Sequence, residues 1–338
     1  MGVTQIEWCH YTFNGWFGCA KVSPGCEHCF AERYSRRWKG RRGTWGPNGT
    51  RVLAAESTWQ KPLTWNRAAE RAGERRRVLC GSLMDFFEER EELESCRDRV
   101  LALAMVTPHL DWLLLTKRPM EALAYFARLN QRRRGYWHEQ VGYLWDVGAK
   151  WYPSAFNDAA WETFCRRHGA PEDPQALGDS SVVVWPLPNV WLGVTVEDAD
   201  HLWRIDELLK IPAAVRFVSY EPALGPLGQF DLAGIDWLIA GGESGPGARP
   251  PHPDWFRSVR DLCQASGVPF CFKQWGKWAP HEVDNTGRAT AGSVVQQSTG
   301  HTRRGISTRC AMVSVGKIAA GRLLDGRQWN EMPKTLDS

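Results

Sequence analysis

The ten residues DWLIAGGESG (236–245) combine a short apolar run without alternation and an abrupt change to glycine, acidic and hydroxyl residues. A continuous apolar run of this kind is typical of a strand that is buried on both faces of a parallel sheet. The same arrangement recurs in VLCGSLMD (78–85), DWLLLTKRP (111–119), VWLGVTVED (190–198), VRFVSYEP (215–222) and PFCFKQWG (269–276). These runs together predict a parallel sheet at the centre of the fold.

Helical spacing of apolar residues marks the segments between the strands, at 91–106, 119–129, 198–209 and 253–266. Strands that alternate with helices imply right-handed βαβ units, so we predict an α/β fold. Its sheet is a full barrel, a partial barrel or a doubly wound sheet. Asp198 and Asp254 are predicted to cap helix starts, and Gly267 is predicted to follow the end of the last helix.

The domain organisation follows from the places where this alternation is interrupted. We predict a single domain over residues 1–338. Residues 131–188 form an insertion that is rich in Trp and Arg. Residues 280–312 are rich in Gly, Ser and Thr and have little apolar periodicity, which is typical of a mobile loop or lid.

Composition is that of an ordinary globular protein, with 43% hydrophobic residues and a formal charge of +4. This charge permits a polyanionic partner without requiring one. No apolar run approaches the roughly 20 residues that cross a bilayer, and no signal-peptide pattern occurs, so we predict a cytoplasmic protein without a membrane partner. Ten cysteines are too few for a disulfide scaffold in 338 residues. Cysteines clustered at short spacing in a reducing compartment indicate metal or redox ligands.

The segment GCAKVSPGCEHCFAERYS carries three cysteines at the spacing C-x6-C-x2-C, namely Cys19, Cys26 and Cys29. Three thiolates suit a 4Fe-4S cluster with one iron left open for a small molecule, whereas electron-transfer clusters normally take four cysteines. Zinc with His28 or His10 as the fourth ligand is the main alternative, and unliganded structural thiols are the other. Cys29 is predicted to open a helix, whose N-terminus favours negative charge.

Charged and polar residues follow nearly every predicted strand. In parallel α/β folds, functional groups collect at the carboxyl ends of the strands, and a sheet built for stability alone does not need charges there. Each residue taken singly is equally consistent with an ordinary capping or ion-pair role. The candidates are Asp85, Lys117, Arg118, Thr195, Glu197, Glu221, Glu243, Ser244, Lys273 and Gln274.

The stretch WFGCAKVSPGCEHCFAERY resembles the signature of the phage-type three-cysteine-motif proteins, relatives of the radical S-adenosylmethionine (radical SAM) superfamily. Further blocks look like those of that family in the same order: VLCGSLMDFFEE, HLDWLLLTKRP, NVWLGVTVED, RFVSYEPALGP, IDWLIAGGESGPGARP, FCFKQWG and VGKIAAGRLLDGRQWNEMP. They span nearly the whole chain except 131–188 and 280–312. The first cysteine spacing is three residues longer than the C-x3-C-x2-C that is usual in the superfamily.

The resemblance implies a partial (β/α) TIM-type barrel with mainly parallel strands, which holds a 4Fe-4S cluster and S-adenosylmethionine at the carboxyl strand ends. The ligands of the cluster would be Cys19, Cys26 and Cys29. An external donor of the flavodoxin or ferredoxin type would reduce the cluster, and cleavage of S-adenosylmethionine would give a 5′-deoxyadenosyl radical that abstracts hydrogen from the substrate.

Roles for the strand-end residues follow from their positions under this resemblance. A carboxylate is expected to pair with the methionine ammonium of S-adenosylmethionine, and the residues after the fourth strand are expected to contact its ribose. The expected cofactor contacts are Asp85, Thr195, Glu197, Glu243 and Ser244. The expected substrate contacts are Lys117, Arg118 and Gln274. The expected catalytic residues are Glu221 and Lys273.

The phage context of the family favours a nucleic-acid base or nucleotide as the substrate. Trp and Arg interleaved over 131–161 would stack on bases and neutralise phosphates, but packed tryptophans and solvated basic faces explain them equally well. The alternative function is a non-catalytic nucleic-acid-binding protein in which the three cysteines hold zinc or a structural iron–sulfur cluster. The carboxylates at the strand ends favour an enzyme, because a phosphate-binding surface has no use for them.

Overall fold

The computed structural model describes residues 4, 6–38, 43–131, 137–168, 186–282, 294–298 and 309–334. The strands of the first part of the chain are β1 (Tyr11–Phe13), β2 (Trp16–Phe17), β3 (Val52–Leu53), β4 (Arg76–Cys80), β5 (Leu110–Thr116) and β6 (Val190–Thr195). Those of the second part are β7 (Val215–Tyr220), β8 (Trp237–Gly241), β9 (Phe270–Gln274), β10 (Trp278–Glu282), β11 (Val294–Ser298) and β12 (Arg309–Ser314).

Helices alternate with most of these strands. They are α1 (Phe30–Arg37), α2 (Glu56–Trp59), α3 (Lys61–Ala72), α4 (Glu94–Met105), α5 (Pro119–Gln131), α6 (Trp137–Trp151), α7 (Asp158–His168), α8 (Trp203–Leu209), α9 (Pro253–Ser266) and α10 (Lys317–Ala320). Short 3-10 turns precede three of them, at Pro24–Cys26, Glu91–Leu93 and Ala199–His201. Among the described helices, none is long and apolar enough to cross a membrane.

The main sheet has seven strands in the order β1-β4-β5-β6-β7-β8-β9. The pairs β1–β4, β4–β5, β7–β8 and β8–β9 are parallel. All six strands predicted from continuous apolar runs are present as β4 to β9, and β6 and β8 are buried along their whole length. The α/β class and the parallel sheet are thus confirmed. Within the described residues no pairing joins β1 to β9, so the sheet is not a closed barrel.

One compact unit consists of Met1–Ala20, Ser35–Gly193 and Glu207–Val215. In it α4 is almost entirely buried, and α6 of the predicted insertion packs on α4. The Trp145 ring makes edge contacts with Phe156 at 4.8 Å and with Trp161 at 4.9 Å. These tryptophans therefore pack against other aromatic rings, as one of the two sequence interpretations held. The rest of the insertion, 132–136 and 169–185, lies outside the described residues.

The second compact unit consists of Lys21–Tyr34, Val194–Asp206 and Arg216–Ser338. It contains β7, β8 and β9 with α9, and a separate antiparallel sheet in the order β10-β12-β11. The prediction of a loop over residues 280–312 is therefore wrong in part, because this antiparallel sheet includes residues of that segment. A strand such as VVQQS has neither a continuous apolar run nor strict alternation, so no strand signal is present there. Residues 283–293 and 299–308 lie outside the described part.

Helix ends show which capping predictions hold. Gly267 closes α9 in the left-handed region with a φ of 69°, as predicted. Asp254 does not cap this helix; the side chain of His252 does, accepting a hydrogen bond from the Asp254 N–H at 3.1 Å. The Asp198 side chain makes no cap bond either, because it lies 2.6 Å from Nδ1 of His201.

Candidate functional site

The cysteines divide into two groups by burial. Of the nine whose side chains the structure describes, Cys19, Cys26 and Cys29 are partly exposed, and the other six are buried. Cys80 and Cys263, for example, lie in the apolar core. The motif cysteines therefore do not serve as core packing.

In the first unit, a buried ion pair fixes the backbone at Cys19. Nε of Arg51 donates to Glu88 at 2.6 Å, and the same guanidinium donates to carbonyl oxygens of residues 44–50. Within this loop the Gly46 N–H donates to the Cys19 carbonyl at 2.9 Å. Gly18, with a φ of 105°, passes so close that a Cβ would lie 2.8 Å from the Thr50 carbonyl oxygen. The pair was not predicted, because its partners lie 37 positions apart.

Arg118 connects the end of β5 with Cys19. One terminal nitrogen of its guanidinium lies 3.7 Å from the Cys19 sulfur, and the other donates to the Ala20 carbonyl at 2.8 Å. Burial, followed by the charge of Asp85, raises the pKa of the Cys19 thiol to about 12, and Arg118 opposes this shift. The thiol is therefore protonated at neutral pH in the metal-free chain. Arg118, a predicted substrate contact, here binds Cys19 and the Ala20 carbonyl.

The Asp85 carboxylate already has a full set of donors within the first unit. It accepts hydrogen bonds from the Thr116 hydroxyl at 2.6 Å and from the backbone N–H groups of Phe87 and Lys117, each at 3.1 Å. Arg118 adds an ion pair at 3.0 Å. A carboxylate offers about four acceptor positions, and these four donors take them. The predicted cofactor role of Asp85 thus competes with protein partners that hold the ends of two strands together.

In the second unit, Cys26 lies in the 3-10 turn Pro24–Cys26, and Cys29 directly precedes α1. The Cys29 carbonyl accepts a helical hydrogen bond from the Arg33 N–H at 3.3 Å, which confirms that the helix starts at this cysteine. The Ser23 hydroxyl lies 3.9 Å from the Cys26 sulfur and donates to Glu197 at 2.6 Å. The residues that carry Cys26 and Cys29, Lys21–Tyr34, are called the cysteine segment below.

Glu197, which follows β6, is completely buried. Besides Ser23, its carboxylate accepts from Arg204 at 2.7 Å, and Arg204 also donates to the carbonyl of the buried Thr195 at 2.7 Å. A Cβ on Gly25 would lie 2.4 Å from Oε1 of Glu197. The predicted ribose contact therefore lies against the backbone of the cysteine segment.

Glu243 follows β8 and binds Arg249 through both of its oxygens, at 2.6 and 2.9 Å. The Arg249 N–H at 2.8 Å and Nδ1 of His28 at 3.2 Å complete its surroundings. Burial disfavours the charged carboxylate, but the hydrogen bonds from Arg249 outweigh it, so the pKa of Glu243 is lowered. The neighbouring Ser244 accepts from Arg33 through its carbonyl at 3.4 Å.

Glu221, Lys273 and Gln274 meet at the ends of β7 and β9. Nζ of Lys273 lies 2.7 and 3.0 Å from the two Glu221 oxygens. The Gln274 amide donates to Glu221 at 3.3 Å and to the Gly242 carbonyl at 3.0 Å, which fixes the orientation of the amide because both partners are acceptors. The structure thus brings the two predicted catalytic residues together with one predicted substrate contact. Of the other two predicted substrate contacts, Arg118 binds at Cys19 and Lys117 donates its backbone N–H to Asp85.

Arg204 and Arg249 were missed by the sequence analysis, although each organises a strand-end carboxylate. Arg249 stands in the quoted block GGESGPGARP, and Arg204 lies seven residues after Glu197. Both follow a strand-end carboxylate by six or seven residues, which is the one signal that the sequence offered.

The fold and these strand ends define an α/β protein with a parallel sheet whose carboxyl edge carries the polar side chains. Its sequence from residue 3 to residue 333 matches the family described as "Protein of unknown function (DUF5131)", so the chain belongs to that family. No curated protein and no solved structure matched it. Among the described residues, no three His, Cys, Asp or Glu side chains are grouped as a metal site.

Proposed function

We propose that this protein is an enzyme of the radical SAM class in which Cys19, Cys26 and Cys29 hold a 4Fe-4S cluster. The observation that carries the proposal is the contrast in burial. These three cysteines are the partly exposed ones, whereas the other six described cysteines are buried. Partly exposed cysteines at short spacing in a chain are suited to bind metal.

The donor set fits the group. Three thiols within eleven residues, Cys19 to Cys29, supply three ligands to a cube and leave one iron for a small molecule. Cluster binding would deprotonate Cys19, as metal binding to any thiol does. When bound, the cluster would supply the electron that cleaves S-adenosylmethionine. The partial TIM-type barrel is part of the same proposal, supported by the open parallel sheet.

For the substrate we propose a nucleotide or nucleic-acid base, acted on beside Glu221 and Lys273. Their side chains keep 18% and 15% of their surface exposed, respectively. A carboxylate beside an ammonium presents an acceptor and a donor side by side, which suits the edge of a base. Lys273 would hold a substrate oxygen, and Glu221 would accept a proton released there. An external flavodoxin or ferredoxin would deliver the electrons.

The test is anaerobic purification of the full chain with quantification of iron, sulfide and zinc. We expect a brown protein with about four irons per chain. Cys26→Ala should lose most of this iron, whereas the control Cys96→Ala, at a buried cysteine of α4, should keep it. Dithionite with S-adenosylmethionine should then yield 5′-deoxyadenosine.

Two results would contradict the proposal in different ways. A colourless protein with stoichiometric zinc would favour the non-catalytic nucleic-acid-binding alternative. A brown protein that never yields 5′-deoxyadenosine under any reductant would retain the cluster and refute the enzyme class.

A further inference from the structure

Two carboxylates at strand ends bind the cysteine segment from within the second unit. Glu197 follows β6 and Glu243 follows β8, and both were predicted to contact a soluble cofactor. In the structure their hydrogen-bond partners include Ser23 and His28 of the cysteine segment.

The first contact lies at the 3-10 turn that carries Cys26. Ser23 has one hydroxyl hydrogen, and a carboxylate can only accept, so Ser23 donates to Glu197 across 2.6 Å. Arg204 holds the other oxygen of Glu197 at 2.7 Å. Gly25 lies directly over the carboxylate, where any Cβ would come within 2.4 Å of Oε1. Glu197 is fully buried, so its carboxylate has no surface with which to reach a ribose.

The second contact is made through Arg249. While its guanidinium binds Glu243, it also donates to the Pro24 carbonyl at 3.0 Å and to the Glu27 carboxylate at 3.1 Å. Glu243 accepts from His28 on the same segment at 3.2 Å. Three donors lie around Oε2 of Glu243 and one lies at Oε1, so both oxygens are bound from within the chain.

Glycines mark where the backbone after β8 passes close to the cysteine segment. A Cβ on Gly245, whose φ is 92°, would lie 2.3 Å from the Arg33 guanidinium. A Cβ on Gly247, whose φ is 76°, would lie 3.0 Å from the His28 ring. The block GGESGPGARP therefore lies close against the residues around Cys29, where the helix starts. Two of its glycines also adopt a backbone conformation that glycine favours.

We propose that Glu197, Glu243 and Arg249 are positioning residues, which hold Cys26 and Cys29 in place for metal binding and do not contact a soluble cofactor. This inference rests on the proposed function only in that these thiols bind a metal. Partners that orient metal ligands typically contribute about 10- to 100-fold to metal affinity. The role is therefore measurable without any substrate.

The first experiment uses the iron-loaded protein without S-adenosylmethionine. Ser23→Ala and Arg249→Gln each remove one contact, and we expect iron release to a chelator to be about 10-fold faster, with changed g-values of the reduced cluster. Ser23→Thr restores the hydroxyl and should restore both readouts. The control is Asp111→Asn. Asp111 is a buried carboxylate that pairs with Arg75 at the amino end of β5, away from the carboxyl strand ends, so this variant should leave iron release unchanged.

The second experiment uses metal-free protein and hydrogen exchange. Loss of a hydrogen bond to a charged group should raise amide exchange in residues 21–34 by about 10-fold, while α9 exchanges as before. If the variants keep iron release and exchange unchanged but bind S-adenosylmethionine more weakly, the two carboxylates are cofactor contacts and the proposal is wrong. A wild-type protein without metal would refute the proposed function alone, because the exchange measurement still tests the positioning.

Discussion

Replacing Arg51 by Met should destabilise the first unit strongly. The change leaves Glu88, which is 5% exposed at its side chain, without its closest cation. Breaking one side of a buried ion pair typically costs about 3–5 kcal/mol. Arg90 stays 3.8 Å from the Glu88 carboxylate and compensates in part, so the lower figure applies. We therefore expect a loss of about 3 kcal/mol in the free energy of unfolding.

Urea denaturation of the metal-free protein measures this loss. With an m-value of about 3 kcal/mol/M, the unfolding midpoint should fall by about 1 M. The control is Lys210→Met, which breaks an exposed pair with Glu207 and should cost about 0–1 kcal/mol. The double variant Arg51→Met with Glu88→Leu has no unpaired buried charge, so it should recover much of the midpoint. A double variant no more stable than Arg51→Met would refute the electrostatic reasoning.

Three further predictions concern other parts of the structure. Arg99→Leu should cost about 2 kcal/mol and expose residues 137–168 to limited proteolysis, because the guanidinium stacks between Trp59 and Trp151 at 4.2 Å from each ring. Gly25→Ala should lower stability by about 1–3 kcal/mol by urea titration, because the new Cβ collides with Glu197; wild-type stability would refute that close approach. Burial disfavours the charged form of Asp325, but the hydrogen bonds from its two arginine partners outweigh burial and lower its pKa in the folded state. The ion pairs therefore stabilise the fold at any pH above the unfolded-state pKa of about 3.9. This stabilisation is lost as the pH falls through the folded-state pKa. Asp325→Asn should therefore cost at most about 1 kcal/mol at pH 7, and its urea midpoint should meet that of the wild type in acid.

The parallel sheet could be predicted because its strands leave a local signal. Runs such as WLIAG are apolar at every position, and the structure buries all of β8. The helix 253–266 with Gly267 behind it was equally visible, because capping and periodicity act over a few residues. The strands β10 to β12 were not visible, since a strand with polar residues side by side, as in β11, has no period to detect.

The location of the candidate site was predictable, but the partners of its residues were not. Position near a strand end follows from the local pattern. Cys26 and Cys29 lie in the cysteine segment, Cys19 lies two residues after β2, and the other predicted site residues lie in or shortly after strands of the main sheet. What each carboxylate binds depends on segments far away in sequence: Ser23 and Glu197 are 174 positions apart, and Glu27 and Arg249 are 222 apart. No local pattern encodes such pairings. Arg204 and Arg249 lie only seven and six residues after the carboxylates that they bind, but this spacing has no helical or strand period that would single them out.

The burial and the hydrogen-bond partners of the strand-end residues indicate where a ligand should be sought. Asp85, Glu197 and Glu243 are all nine-tenths or more buried and have hydrogen-bond donors from the chain around both carboxylate oxygens. Glu221 and Lys273 also bind each other, yet 18% and 15% of their side chains remain exposed. A soluble molecule must displace protein donors at fully covered carboxylates to reach the first group, whereas the second group presents exposed side-chain surface to it. Under the proposed function, substitutions that impair substrate turnover while leaving metal content intact should therefore concentrate at Glu221 and Lys273.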